Sequence, residues 1–422
     1  LLKTLRTGQT VRLREQIAQS GQGTVYTTDQ SSVLAKIYNT QDDPDRMDKL
    51  RVMLDNPPVD PSWTQLQHRS IAWPLDLLLD ETRRCTGFTM PYIQDSRELT
   101  QVYNPAFRLR FAPKFNWYYL HSTALNYVSA VEAIHFKNFV VGDIKPQNIL
   151  VNSQALTSVI DTDSFQITDP ATGRFFRCPV GTEGFTPREL LEQLNGKPFR
   201  TIDRTEKHDR FGMAVIIYLL LFGRHPFMEG RWKTEGAPPT PDERVMEGMW
   251  IHNPGHNIGI DRGTIPLDIV HPVIEQCFRR CFSEGHWDPQ TRPSANEWRR
   301  VLKDAVADLV RCTRERNHWY SGTRGRGCPW CERNTLLGFD IFSPITAERR
   351  EPSEVPPPPT PSKSRKTSKS RKKSNAVLKP AEPQIKVTKS QRPPNAKQIP
   401  DTETTPSGLW DAVTKMFKKK NP

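Results

Sequence analysis

The sequence has no hydrophobic run long enough to cross a bilayer. The longest, Phe211 to Gly223 (FGMAVIIYLLLFG), has 13 residues and reads as a buried helix. Cysteine is sparse and odd in number, with seven residues unevenly spread at 85, 178, 277, 281, 312, 328 and 331. That excludes a disulfide framework and makes a reducing cytoplasm the expected setting. The opening residues do not read as a secretion signal, and no internal repeat is present. Acidic residues are the scarcer charge: 47 Asp+Glu against 60 Lys+Arg in 422 residues, a formal net charge of +13. The excess is local. Residues 351–422 hold 16 Lys+Arg, 6 Asp+Glu and 13 of the 37 prolines, so residues 1–350 lie near charge balance. A basic total is therefore a property of the tail, and poor ground for assigning nucleic-acid binding to the folded part.

The length suffices for two or more structural units. The first ninety residues alternate short β-branched stretches with turn residues. A helix over Asp45–Leu54 interrupts them, and strands return near Ile71–Leu79 and Phe88–Ile93. Asn116–Lys137 has helical periodicity, and Phe139–Ile167 reads as short strands and loops. Beyond Glu189 the regular segments read as helices, the last being Ala295–Val310. The expected fold class is α+β: a sheet-rich lobe over 1–93 and a helical lobe over 94–310. Residues 341–406 read as a disordered Pro/Lys-rich tail, with too few large apolar side chains to offset its ordering entropy. Within 407–420, Leu409, Trp410, Val413, Met416 and Phe417 share one helical face, with Asp411 near its start and lysines at its end. Such a helix is expected to form on binding, and a partner groove or an anionic membrane surface both fit it.

Chemistry concentrates at Gly142-Asp143-Ile144-Lys145-Pro146-Gln147-Asn148. An Asp, a Lys two residues on and an Asn five residues on suit phosphoryl transfer. Asp143 can accept a hydroxyl proton, Lys145 can neutralise the moving phosphoryl group, and Asn148 can ligate Mg²⁺. Thirteen residues later, Asp161 in Ile160-Asp161-Thr162-Asp163-Ser164-Phe165 offers a second Mg²⁺ carboxylate. Over 311–340 a further set appears, Cys312-x5-His318-x9-Cys328-Pro329-Trp330-Cys331. Three thiolates and an imidazole suit a closed structural Zn²⁺ site that fastens this segment to the helical lobe. Cys277 and Cys281, one helical turn apart, read as core residues, as do Cys85 and Cys178. His135 reads as a packed helix-end histidine.

In this order and spacing the chain resembles a bacterial, eukaryotic-like Ser/Thr protein kinase, of the subgroup that carries a Cys-Pro-Trp-Cys zinc element after the kinase domain. Gly21-Gln22-Gly23-Thr24-Val25 looks like the glycine-rich loop, and Leu34-Ala35-Lys36 like the strand whose lysine grips the ATP phosphates. Met90-Pro91-Tyr92-Ile93 resembles the hinge that faces adenine. The resemblance gives Gly21, Gly23, Val25, Ala35, Lys36, Met90, Pro91 and Ile93 to ATP, and Asn148 and Asp161 to Mg²⁺. Thr182, Glu189 and Arg292 match supporting residues at the end of the activation segment, and Asp209 matches the carboxylate that holds the catalytic-loop backbone. It implies protein substrates, and as partners a PP2C-type phosphatase and a von Willebrand A-type protein.

The departures are specific. Ala18 and Ser20 stand where loop glycines are usual, and Gly142 replaces the arginine that commonly precedes the catalytic Asp. Asp163 replaces the glycine of Asp-Phe-Gly, where Asp tolerates an unusual φ. The helix glutamate that should pair with Lys36 has no obvious counterpart, Asp48 being the candidate and Asp55 the second choice. Two further classes stay open: a catalytically inactive pseudokinase scaffold, and a nucleic-acid-binding module using the basic tail and the zinc element. The near balance of charge in the folded part disfavours the latter.

Overall fold

The computed structural model describes residues 2–40, 43–253 and 255–342; the expected tail from residue 343 and the 407–420 helix lie outside the described residues. Seven antiparallel strands form the first layer. Their spatial order is Thr10–Val11, Leu2–Thr4, Asp76–Leu79, Cys85–Pro91, Val33–Tyr38, Gly23–Thr28, Leu13–Gln19. Strand alternation sorts Val33–Tyr38 into two faces. Tyr38 joins the main core with Phe88, whereas Ala35 packs with Val11 and Leu78, next to Leu2 and Ile37. Val11 and Leu2 from the N-terminal edge strands thus share a small core with Ala35 on the side of the sheet turned away from Lys36.

A helix over Pro44–Asp55 crosses this sheet. Asp43 caps it by accepting from the Arg46 N–H at 3.2 Å, and Pro44 occupies the first turn, where no N–H is needed. Its buried face is Lys49, Leu50, Met53 and Leu54. An apolar face interrupted by a lysine calls for an explanation, which the site below supplies.

The helical part is built around Glu206–Phe222. Every residue of this helix from Phe211 to Phe222 is buried, as expected for a helix apolar all round, and Gly223 (φ +73°) ends it in the left-handed conformation. Removing each Leu or Ile from water contributes about 2 kcal/mol. Trp117–Phe136, capped by Asn116, packs between this helix and Ala295–Asp308. A small sheet, Ser96–Glu98, Ile149–Asn152 and Thr157–Val159, lies at the start of this part and anchors the loop 143–148 that runs into its middle strand. Cys277 and Cys281 are buried core residues, the second in a π-helical turn over Arg280–Glu284.

The segregated α+β arrangement is that expected, with local corrections. The strand expected at Ile71 begins only at Asp76, because Pro74 has no N–H to give a ladder. The helix expected to reach Val310 ends at Asp308, and Leu309–Arg311 turns into a hairpin with Trp319–Ser321. A second strand pair, Arg231–Trp232 with Ile258–Gly259, also falls where only helices were expected.

Candidate active site

The loop 143–148 is held at both ends. Ahead of it, the Val141 and Gly142 N–H groups donate to the Asp209 carboxylate at 2.7 and 2.8 Å, and His135 Nε2 meets the same carboxylate at 2.9 Å. Behind it, Ile149–Asn152 is paired on both edges. Asp143 is buried, and its two oxygens have different partners: Oδ2 accepts from Lys145 Nζ at 2.6 Å and Oδ1 from Thr182 Oγ1 at 2.6 Å. Asn148 Nδ2 donates to the Asp143 carbonyl at 3.1 Å, which fixes the Asn side chain beside the carboxylate. Gly142 takes φ +77°, and a Cβ there would lie 2.8 Å from Cys178. Into this space comes a residue the sequence reading missed: Arg204, buried, donates to the carbonyls of both Gly142 and Val180.

Across the cleft, Asp161 adopts the left-handed conformation (φ +58°), so the unusual φ expected at Asp163 falls two residues earlier. Lys36 Nζ donates to Asp161 Oδ1 at 2.7 Å and to Asp163 Oδ1 at 2.8 Å. Burial alone would lower the Lys36 pKa, but Asp163 and Asp161 outweigh it and hold the ammonium above its ordinary value. Tyr38 Oη donates to Asp163 Oδ2 at 2.9 Å, and burial together with that carboxylate pushes its hydroxyl well up. Asp48 does not reach Lys36. It pairs instead with Arg174 at 2.6 Å, because Lys49, not Asp48, occupies the inward face of the helix. Lys49 Nζ donates to the Asp163 carbonyl at 2.7 Å, and burial lowers its pKa to about 8.

These groups open onto a cleft of about 720 Å³ lined by Ile17, Ala18, Gly21, Gly23, Val25, Leu34, Lys36, Met90, Pro91, Ile93, Asp143, Lys145, Asn148 and Asp161. Ala35 is absent from this lining, which corrects its expected role: Lys36 faces the cleft, so the residue two before it, Leu34, shares that face while Ala35 points away. The two glycines differ. A Cβ on Gly21 would meet open space, whereas one on Gly23 would lie 2.5 Å from the Ile37 carbonyl, so Gly23 is required by strand packing. Apolar walls at one end and Lys36 at the other fit a nucleotide base and its phosphates. The Asp161 and Asn148 oxygens on the same cleft are hard donors that fit Mg²⁺. The end of the 161–189 segment is anchored by Glu189, which forms a two-pronged pair with Arg292.

The second cluster also assembles. Cys312, His318, Cys328 and Cys331 bring their ligand atoms within 4.8 Å of one another. Cys312 and Cys331 Sγ are 3.6 Å apart, and His318 Nδ1 lies 3.6 and 3.4 Å from Cys328 and Cys331 Sγ, edges that suit a tetrahedron around Zn²⁺. The other ring nitrogen, His318 Nε2, meets Asp340 Oδ2 at 2.7 Å, an outer carboxylate that the sequence reading also missed. Trp330, buried between two of these cysteines in sequence, stacks edge-on against Trp117 and Phe342 at 5.0 Å each. Arg108 Nη2 donates to the Ile341 carbonyl at 2.9 Å, and its guanidinium lies 4.9 Å from the Phe342 ring centre.

Strand alternation could have exposed Leu34 from sequence. Nothing local marks Arg204, Lys49 or Asp340, whose partners are set by tertiary contact alone.

Comparison with known proteins agrees with this geometry. The model of the protein kinase domain matches residues 62–299 and therefore begins after Lys36. Protein kinase YegI of Escherichia coli strain K12 is 30% identical over 337 residues, 77% of this chain and 49% of the relative. The dual specificity protein kinase Ttk of Danio rerio is 31% identical over 201 residues, 43% of this chain and 19% of the relative. The SNF1-related protein kinase catalytic subunit alpha KIN12 of Arabidopsis thaliana is 27% identical over 148 residues, 35% of this chain and 26% of the relative. The chain spans about half the length of the bacterial relative it matches.

Proposed function

The chain belongs to the protein kinase family, and on that premise we propose that it transfers the γ-phosphoryl group of ATP to Ser or Thr hydroxyls of protein substrates. The observation that carries this reading is the Asp143 carboxylate, held between Lys145 and Thr182 beside Asn148 and facing the same cleft as Lys36 and Asp161. ATP with Mg²⁺, implied by a kinase domain, would supply the phosphoryl group and the cation that neutralises it. Asp143 orients the acceptor hydroxyl and takes its proton, with Lys145 placed to offset charge on the same side. Lys36 holds the α/β-phosphates, and Asp161 and Asn148 hold the cation. The hydrogen bond from Thr182 and the Asp-x-Lys-x-x-Asn spelling support Ser/Thr as acceptor. The same reading takes Cys312, His318, Cys328 and Cys331 as a structural zinc site. It carries the PP2C-type and von Willebrand A-type partners by resemblance only. Among the described residues no helix is long and apolar enough to cross a membrane.

Because catalysis here is mainly positioning and electrostatics, Asp143→Asn should remove most transfer while leaving nucleotide binding intact. Equal phosphate incorporation from radiolabelled ATP by wild type and variant would overturn the assignment. Binding without transfer by the wild type would favour the scaffold reading.

A further inference from the structure

A buried ammonium needs a buried counter-charge, and for Lys36 the obvious source fails. The helix Pro44–Asp55 presents to this place not a carboxylate but a second cation, Lys49. Its acids point elsewhere: Asp45 and Asp48 pair with Arg174, and Asp55, 66% exposed, pairs with Arg6. We infer that Asp163 is the positioning residue for Lys36, taking the part a helix carboxylate would otherwise play, and that Lys49 fixes Asp163 in place through its backbone.

Three observations carry this. Asp163 engages Lys36 with one oxygen and Tyr38 with the other, at 2.8 and 2.9 Å, and its side chain is 4% exposed. Asp161 also meets Lys36, but its side chain is 35% exposed and opens on the cleft, where its oxygens are wanted for the cation. Lys49 has the Asp163 carbonyl at 2.7 Å, so the helix grips the backbone of the residue whose side chain grips Lys36. The charged and titratable groups facing Lys36 are then Asp161 and Asp163 from the loop, Tyr38 from its own strand and Lys49 from the helix. The counter-ion comes from the same short loop as Asp161, so Lys36 and Asp161 are positioned as one unit. Asp163 keeps Lys36 in place when Asp161 turns to other ligands. This rests on the nucleotide site proposed above.

The test uses the full chain and an acyl-phosphate analogue of ATP that acylates the lysine amine, with ATP as competitor. This reads nucleotide binding and lysine placement without phosphoryl transfer, so a wild-type chain that labels but transfers nothing overturns the catalytic reading and leaves this test decisive. In Asp163→Asn the concentration profile of Lys36 labelling should move about tenfold or more toward higher analogue, and Asp163→Glu should bring it part of the way back, because the lysine loses the carboxylate that holds it in the cleft. Protection by ATP should also require about tenfold more nucleotide, about 1.4 kcal/mol. In Asp48→Asn and Asp55→Asn both readouts should stay at wild type. Superimposable profiles for Asp163→Asn and wild type would overturn the inference. So would the shift appearing in Asp48→Asn, a variant that stays informative if Asp163→Asn fails to fold.

Discussion

Arg292 lays both Nη atoms on the Glu189 carboxylate, at 2.7 and 2.8 Å, from 103 residues further along the chain. The same guanidinium reaches the Gly285 and Lys207 carbonyls at 2.8 and 3.0 Å and is 1% exposed. Removing it strands a carboxylate and two carbonyls, so Arg292→Ala should cost about 3–5 kcal/mol. A urea titration should show a lower midpoint with unchanged slope. Arg292→Lys should recover less than half, since an ammonium cannot fork across both oxygens. Full recovery by lysine would count against the two-pronged geometry.

Arg204 ties the carbonyl of Gly142, next to Asp143, to that of Val180, two residues before Thr182. A side chain already holds the catalytic loop against the 161–189 segment, and Gly142 offers no arginine for a phosphate there. Treating the purified chain with a phosphatase is therefore expected to leave kcat within about twofold, whereas Arg204→Ala should lower it about tenfold or more by misplacing the loop. A large loss after dephosphorylation would refute this.

Metal analysis of the purified chain should find one zinc per molecule, lost in Cys328→Ser. Asp340→Ala leaves all four ligands but removes the acceptor that orients His318, and should weaken zinc retention against a chromophoric chelator by about 10–100-fold. Chelation should lower the thermal midpoint, because the strand pair Leu309–Arg311 with Trp319–Ser321 and the Trp330 packing depend on the cluster.

Lys49 makes stability depend on pH. Its pKa falls from 10.5 unfolded to about 8 folded through burial. Below pH 8 both states hold the proton. Between about 8 and 10.5 the unfolded chain binds more protons, so this group makes stability rise with pH, by roughly 3 kcal/mol over the whole window. Denaturant titrations at pH 7.5 and 9.5 should show about 2 kcal/mol of that gain in wild type relative to Lys49→Met. Parallel behaviour of the two would count against a charged, buried Lys49.

The catalytic loop was legible because its chemistry fixes spacing within a few residues: Lys145 and Asn148 both hydrogen-bond to Asp143 within the loop itself. Asp209 and the Glu189–Arg292 pair were legible through the order of motifs. The partner of Lys36 was not, since Asp48 and Lys49 are neighbours and one step of helix rotation, 100°, decides which faces inward. Ala35 was misplaced for the analogous reason in a strand, where one step exchanges faces. Arg204 and Asp340 act through backbone and ring partners 62 and 22 residues away, and no local pattern encodes such contacts.

The grip of Arg108 on the Ile341 carbonyl and of Trp330 on Phe342 also has a mechanical meaning. Traction on the chain beyond Phe342 would be taken up first by that guanidinium and ring. It would then pass through Trp117 into the long helix Trp117–Phe136, without travelling along the loop that holds Asp143. A load applied at Phe342 would thus be borne by packed rings and one long helix rather than by the loop 143–148.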